Sequence, residues 1–101
     1  MDVQDWLHNY NENVFITEVA KINKTENART KQLEKELFIF KLALNNLPSK
    51  YADIITERYI NNQSYNRIAI NFSCSRSTVY NKLKVAEKSL AETIDYICNN
   101  L

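Results

Sequence analysis

The sequence contains no glycine and a single proline in 101 residues. Two-residue β-hairpin turns depend on pairs such as Asn-Gly or Asp-Gly, and neither pair can occur here. The glycine-rich loops that hold phosphates in nucleotide-binding enzymes are excluded for the same reason. The chain is suited instead to helices whose ends are capped by asparagine and serine, and we predict an all-α protein.

Cysteine and histidine are also scarce, and Cys74, Cys98 and His8 are isolated from one another in the sequence. No spacing typical of a zinc site occurs and no nucleophile–base pair is visible, so we predict no metal, no cofactor and no enzyme activity. The chain has no apolar run long enough to span a bilayer and no secretion signal at its start. We therefore expect a cytoplasmic protein without a membrane partner.

The net charge is only +1, but the charges are unevenly placed. Residues 75–88 carry Arg76, Lys82, Lys84 and Lys88 against Glu87 alone, a local net charge of +3. A basic face of this kind is the electrostatic footprint of a nucleic-acid binder, and a balanced total conceals it.

Residues 1–46 are predicted to form an N-terminal helical extension of two helices. The first, over residues 2–22, has an apolar stripe at helical spacing and further apolar side chains beside it. The stripe consists of Val3, Leu7, Tyr10 and Val14, and the additional side chains are Trp6, Phe15, Val19 and Ile22. The second helix, over residues 28–46, carries a heptad-like seam of Leu33, Leu37, Phe40, Leu44 and Leu47. This leucine seam could pack on the first helix as a helical hairpin or form the contact of a homodimer through the N-terminal helices.

Residues 47–101 are predicted to form a second domain with three more helices. Pro48 marks its start, and Ser49 is expected to cap a helix over residues 50–61. Ser64 is expected to cap a short helix over residues 65–72, and Ser75 a long last helix that begins at Arg76. The side chains expected to face inward from the short helix are Ile68, Ala69 and Phe72.

Residues 64–83 have the pattern of a helix-turn-helix. Ala69 is small where a second helix must cross closely, and a three-residue turn around Cys74 follows it. The next helix opens with polar residues, while Val79 and Leu83 anchor its inner side. A unit of this kind places its second helix in the major groove of DNA.

Three motifs in this half occur in one register. They are Leu47-Pro48, Ser64-Tyr65-x-x-Ile68-Ala69 and Ser75-x-Ser77-Thr78-Val79, followed by the apolar positions Leu83, Ala86 and Leu90. Over roughly residues 44–92 this pattern resembles region 4 of bacterial sigma factors, and also small phage transcriptional regulators of Gram-positive bacteria that are built on the same module. The resemblance implies a helix-turn-helix bundle behind the N-terminal hairpin, binding to double-stranded DNA and contact with RNA polymerase.

The chain departs from that family pattern at two turns, where Asn62 and Ser73 replace the usual glycines. Asparagine tolerates the left-handed backbone better than serine does. No segment resembling sigma region 2 occurs, which excludes a complete sigma factor.

The candidate DNA-binding residues lie at the start of the last helix. Ser75 caps it, so that its first amides can meet a phosphate. Base edges are expected to be read by Arg76, Ser77, Tyr80 and Asn81, since arginine can grip guanine and asparagine adenine through two hydrogen bonds. Phosphates on either side of the groove are expected to be held by Lys82, Lys84 and Lys88.

The function predicted from these features is a sequence-specific, phage-derived transcriptional regulator that reads promoter DNA. One alternative is a sigma-like protein-interaction module that binds RNA polymerase or an anti-sigma partner without reading DNA. Another is a component of DNA packaging similar to a small terminase subunit, which a ring-shaped oligomer would favour.

Overall fold

The computed structural model describes residues 2–100, and this part of the chain contains helices and no strand. The helices are α1 (Val3–His8), α2 (Tyr10–Asn23), α3 (Ala28–Asn45), α4 (Ser49–Ile55), α5 (Tyr65–Asn71) and α6 (Arg76–Asn99), and a π-helical turn at Thr56–Ile60 continues α4. The all-α class is confirmed, as is the order of an N-terminal hairpin, here α2 and α3, before a helix-turn-helix. None of these helices is long and apolar enough to cross a membrane.

The predicted first helix is divided in two at Asn9, whose backbone (φ −102°, ψ 6°) leaves the helical region. Leu7 and Tyr10 are buried as expected, but Phe15 is 68% exposed and Ile22 77% exposed. The expectation that these two side chains widen the buried stripe is wrong. The buried side of α2 carries the small residues Thr17 and Ala20, which allow a close approach to α3, and Phe15 and Ile22 lie elsewhere on the helix.

Four of the five residues of the leucine seam, all but Leu33, face the interior of the same chain. Leu37 and Phe40 are buried, and Leu44 and Leu47 pack against the core as partly buried residues. The Phe40 ring lies 6.1 Å from that of Trp6 and 5.0 Å from that of Tyr10, between ring centroids. Of the two alternatives for the seam, packing within the hairpin is the one that the fold uses.

A single apolar cluster crosses the predicted domain boundary. It contains Trp6 and Phe40 from the N-terminal helices together with Ile54, Ile68 and Leu90 from the second half. The division of the chain into 1–46 and 47–101 therefore stays a prediction, and within residues 2–100 the two parts share one core.

Two details of the second half differ from expectation. Pro48 occupies the cap position of α4, and Ser49 is already the first residue of the helix, so Ser49 is not a cap. Phe72 was expected to face inward but is 37% exposed. Phe72 follows the last residue of α5, and its backbone angles (φ −98°, ψ 6°) are no longer helical. Its side chain therefore does not continue the buried side of α5 on which Ile68 lies.

The turns that lack glycine adopt left-handed backbones, with φ 55° at Asn62 and φ 54° at Ser73. The Ser73 turn ends α5 with a hydrogen bond of 2.9 Å from the Cys74 amide to the Ala69 carbonyl, as in a glycine-terminated helix. A residue other than glycine loses about 1–2 kcal/mol in this conformation. The core contacts on both sides of the turn stabilise the angle between α5 and α6 against that cost.

Candidate nucleic-acid interface

Helices α5 and α6 form the helix-turn-helix that the sequence predicts. Ile68 and Ala69 of α5 are buried in the same cluster as Val79 and Leu83 of α6, and Cys74 between the helices packs against this cluster. The packing of these four buried side chains, two on each helix, determines which side of α6 faces α5.

The opposite edge of the first turns of α6 is open to solvent. Arg76, Ser77, Tyr80 and Asn81 are all exposed, whereas Val79 and Leu83 are buried. The four exposed residues and Tyr65 line an open groove of about 630 Å³. The predicted orientation of this helix is confirmed, and the assignment of these residues to DNA binding stays a prediction.

Ser75 caps α6 as expected. Its hydroxyl oxygen accepts a hydrogen bond from the Thr78 amide at 3.2 Å and lies 2.9 Å from the Thr78 hydroxyl oxygen. The other amides in the first turn of a helix have no carbonyl partner within it. This end of α6 opens toward solvent beside Arg76 and Ser77, where a phosphate oxygen could accept from those amides.

The three predicted lysines lie on two sides of α6. Lys82 borders a groove shared with Lys50 and Tyr51 at the start of α4. Lys84 and Lys88 border a different groove, next to the beginning of α1. The Lys84 ammonium also lies 4.6 Å from the centroid of the Tyr80 ring, which is within the range of a cation–π contact. Lysine side chains therefore lie on both flanks of the open edge, and the groove on the α1 side also contains the acidic Asp2, Glu87 and Asp95.

Glu87, the one acidic residue of the 75–88 segment, is engaged by groups of the protein itself. The Tyr59 hydroxyl donates a hydrogen bond to its carboxylate, and the Gln4 amide donates another at 2.6 Å. Burial of Tyr59, with the hydrogen bond and charge of Glu87, raises the pKa of that hydroxyl above its usual value, so Tyr59 remains a proton donor at neutral pH. The Glu87 carboxylate therefore points toward α1 and the π-helical turn.

The sequence analysis did not identify two residues beside the open edge of α6, Tyr65 and Lys50. Tyr65 lines the groove with Arg76, and the Arg58 guanidinium stacks 4.4 Å from the centroid of its ring. Arg58 also donates a hydrogen bond of 3.0 Å to the Gln63 carbonyl, which fixes the stack. Both residues lie in the first turn of a helix, Lys50 in α4 and Tyr65 in α5. Each directly follows a serine that the sequence predicts to be a helix cap, and this position is the sequence signal that could have identified them.

Comparison with known protein families identifies a match. The family model described as sigma-70, region 4, matches residues 37–90, more than half of the chain. The match begins within α3 and ends within α6, so that it includes all of α5, the turn around Cys74 and residues 76–90 of α6. No curated protein and no solved structure matches this chain.

Proposed function

Since this chain belongs to the sigma-70 region 4 family, we propose that it is a sequence-specific transcriptional regulator that reads promoter DNA with α6 in the major groove. Membership of this family of regulatory domains supports a DNA-binding, RNA polymerase-related role rather than catalysis. The observation that carries the finer proposal is the open edge of Arg76, Ser77, Tyr80 and Asn81 opposite the buried Val79 and Leu83.

Base recognition is assigned to that edge of α6. Arg76 and Asn81 have the side chains that pair with guanine and adenine through two hydrogen bonds each. Ser77 and Tyr80 lie between them and can donate or accept single hydrogen bonds. The edge therefore offers contacts for a short run of base pairs, the number that one recognition helix reads.

Phosphate contacts are assigned to the two flanks. The capped start of α6 at Ser75 faces one DNA phosphate. Lys82 reaches the DNA backbone on the side of α4, and Lys84 and Lys88 reach the DNA backbone on the side of α1. Such contacts supply most of the affinity and make it depend on salt. Glu87 borders the same groove as Lys84 and Lys88, and its carboxylate is held there by hydrogen bonds from Tyr59 and Gln4.

We further propose that the regulator is of the phage type, in which a helical N-terminal half precedes the region 4 module, and that it contacts RNA polymerase. The predicted homodimer also stays a hypothesis. It needs a surface other than the leucine seam, since that seam is used within the chain.

A protein-interaction module is the second candidate function. The observation that favours it is an apolar surface at the end of α5, where Ile70 and Phe72 are exposed. Phe72 borders a groove with the acidic Asp53 and Glu57, on elements other than the recognition helix. This surface suits a basic, partly apolar segment of another protein.

Selection of bound sites from random duplex DNA, performed at low and at moderate salt, separates the two candidates. A regulator enriches one sequence motif at both salt concentrations, and the double variant Arg76→Ala, Asn81→Ala loses that motif while it keeps weak, salt-sensitive binding. Weak and uniform binding by the unaltered chain would rule out sequence-specific reading and favour the protein-interaction module.

A further inference from the structure

Tyr65, the first residue of α5, lies beside the open edge of α6 but on a different helix. Its side chain lines the open groove of about 630 Å³ together with Arg76, Ser77, Tyr80 and Asn81. This groove therefore lies between the start of α5 and the start of α6. The base and phosphate contacts assigned to α6 leave the α5 wall of the groove without a role.

The Tyr65 ring is held in place by Arg58. The Arg58 guanidinium lies 4.4 Å from the centroid of the ring, which is within the range of a cation–π contact. Arg58 also donates a hydrogen bond of 3.0 Å to the Gln63 carbonyl, and the Gln63 amide donates one of 2.9 Å to the Glu57 carbonyl. The side chain that stacks on Tyr65 is thus tied to the turn that precedes α5.

The Tyr65 hydroxyl, in contrast, is available for a ligand. The residue is half-buried, and within residues 2–100 its hydroxyl is neither enclosed nor hydrogen-bonded to another group of the protein. The Tyr59 hydroxyl differs, since it donates to Glu87. Tyr65 therefore combines a fixed ring with a hydroxyl that can donate one hydrogen bond.

The charges around this groove favour an anionic ligand. Among the residues that the structure describes, those that line the groove include the Arg76 guanidinium and no carboxylate. Two more guanidinium groups are near Tyr65, since Arg58 stacks on its ring and Arg67 is exposed in the same turn of α5. Glu57, next to Arg58 in the chain, borders a different groove.

We propose that the Tyr65 hydroxyl donates a hydrogen bond to a phosphate oxygen of DNA, and that Arg58 is a positioning residue that holds the ring for this contact. The proposal rests on the proposed function, because it assumes that α5 and α6 dock on duplex DNA. In that docking the first helix of a helix-turn-helix crosses the DNA backbone while the second enters the major groove. The acceptor that faces α5 is therefore a phosphate rather than a base edge, and tyrosine is among the side chains that bind phosphates.

The first test compares Tyr65→Phe with the unaltered complete chain by fluorescence anisotropy, on the selected duplex and on an unrelated one. Tyr65→Phe keeps the ring and its stack on Arg58 but removes the donor. It weakens binding to both duplexes by about tenfold, because a hydrogen bond to a charged group is lost. Tyr96→Phe is the matched control, since Tyr96 is 70% exposed on α6, and it retains full affinity. Equal affinity of Tyr65→Phe and the unaltered chain would overturn the contact.

Neutral methylphosphonates, placed one at a time along the selected duplex, identify the acceptor. The unaltered chain loses affinity at every phosphate that it contacts. Tyr65→Phe becomes insensitive at one of these positions and stays sensitive at the others, because only one contact has lost its donor. An unchanged pattern of sensitivity in Tyr65→Phe, or a changed base preference in its place, would exclude a phosphate as the partner of Tyr65.

Changes at Arg58 test the positioning role. Arg58→Lys retains the charge but not the planar stack, and Arg58→Ala removes both. Each weakens binding about as much as Tyr65→Phe, and combining Arg58→Ala with Tyr65→Phe adds no further loss. Additive losses, or full affinity of Arg58→Lys, would give Arg58 a role that does not act through Tyr65 and would overturn the positioning role. Circular dichroism checks that each variant retains its helix content.

Failure of the Tyr65 contact and failure of the proposed function give different results. A phosphate contact does not depend on the base sequence, so Tyr65→Phe weakens binding to unrelated duplexes even where selection enriches no motif. Uniform binding with a loss in Tyr65→Phe overturns only the sequence-specific regulator. A motif that Tyr65→Phe binds as tightly as the unaltered chain overturns only the contact, and a chain that binds no duplex overturns both.

Discussion

Arg76 stands in the first turn of α6, exposed next to Ser77 and Tyr80 in the groove that Tyr65 completes. Its neighbour Val79 is buried, so the helix cannot rotate to withdraw the guanidinium from solvent. This combination of a fixed helix and a free side-chain end is what recognition of a base edge requires.

Arg76→Ala is expected to weaken binding to the selected site by about 1–3 kcal/mol and to relax preference at one base position. Fluorescence anisotropy with the selected duplex and with single-base variants measures both effects. Arg29→Ala is the control, since Arg29 is exposed at the start of α3, and it should change neither. Unchanged affinity and preference in Arg76→Ala would remove this residue from the reading edge.

The role proposed for Lys84 is a phosphate contact rather than a base contact, since its ammonium lies 4.6 Å from the centroid of the Tyr80 ring, beside the open edge of α6. Lys84→Ala is expected to weaken binding to all sequences by a similar factor and to reduce the salt slope by about one. Titrations at several salt concentrations with specific and unrelated duplexes measure this. Lys84→Arg retains the charge and should retain the slope, whereas a loss confined to the specific duplex would contradict a phosphate contact.

At the scale of single elements, the serine caps made α5 and α6 predictable. Ser64 accepts from the Arg67 amide at 3.1 Å, and Ser75 accepts from the Thr78 amide at 3.2 Å. Both bonds join residues three apart in the sequence, so the signal for each helix start is local. The break at Asn9 and the π-helical turn at Thr56–Ile60 have no such local signal and were not predicted.

Changes at Ser75 separate the cap from the phosphate contact. Ser75→Ala removes the acceptor for the Thr78 amide and should lower the free energy of unfolding by about 1 kcal/mol. Ser75→Asp keeps an acceptor and should keep stability, but its negative charge should repel a phosphate at the end of the helix.

Chemical denaturation and DNA binding of the two Ser75 variants provide the readouts. The expected pattern is low stability for alanine, and normal stability with reduced DNA affinity for aspartate. Normal DNA affinity of Ser75→Asp would place the phosphate elsewhere.

At the scale of the whole molecule, Glu87 connects three elements. It accepts from Gln4 at the start of α1 and from Tyr59 in the π-helical turn, while its own backbone belongs to α6. The N-terminal helices thereby stabilise α6 through polar contacts as well as through the shared core. The π-helical turn contributes because it orients Tyr59 toward α6.

Tyr59→Phe should lower the free energy of unfolding at neutral pH by about 1.5–3 kcal/mol, since a hydrogen bond to a charged group is lost. The pKa of Tyr59 is raised in the folded protein, first by burial and then by Glu87. Unfolded tyrosine ionises near pH 10. The contribution of the Tyr59 proton to the free energy of unfolding is therefore fully present below about pH 10. It is lost as the pH rises toward the pKa that Tyr59 has in the folded protein.

Urea unfolding between neutral and alkaline pH checks this prediction. Stability of the unaltered protein should decrease above about pH 10, and Tyr59→Phe should show a shallower decrease because it has no proton to lose there. Tyr96→Phe, at an exposed tyrosine, should retain the steeper decrease. Equal slopes for the unaltered protein and Tyr59→Phe would contradict the proposed contact with Glu87.

The sequence by itself determined the helical class, the register of the helix-turn-helix and the open edge from Arg76 to Asn81. These depend on spacing within a few residues: serine before a helix, and Val79 and Leu83 four apart on one side. Such patterns are local in the sequence, so they can be recognised without knowing which other helices pack nearby in the fold.

The tertiary structure alone decided which apolar surfaces are covered and where the charges lie. Phe15 and Leu7 are both apolar residues of the same predicted stripe region, but only Leu7 belongs to the buried core. In the sequence Glu87 is only an acidic residue within the basic segment, whereas in the structure it accepts hydrogen bonds from Tyr59 and Gln4, 28 and 83 residues away. Burial and pairing of this kind depend on contacts between distant segments, and the periodicity of one helix carries no information about them.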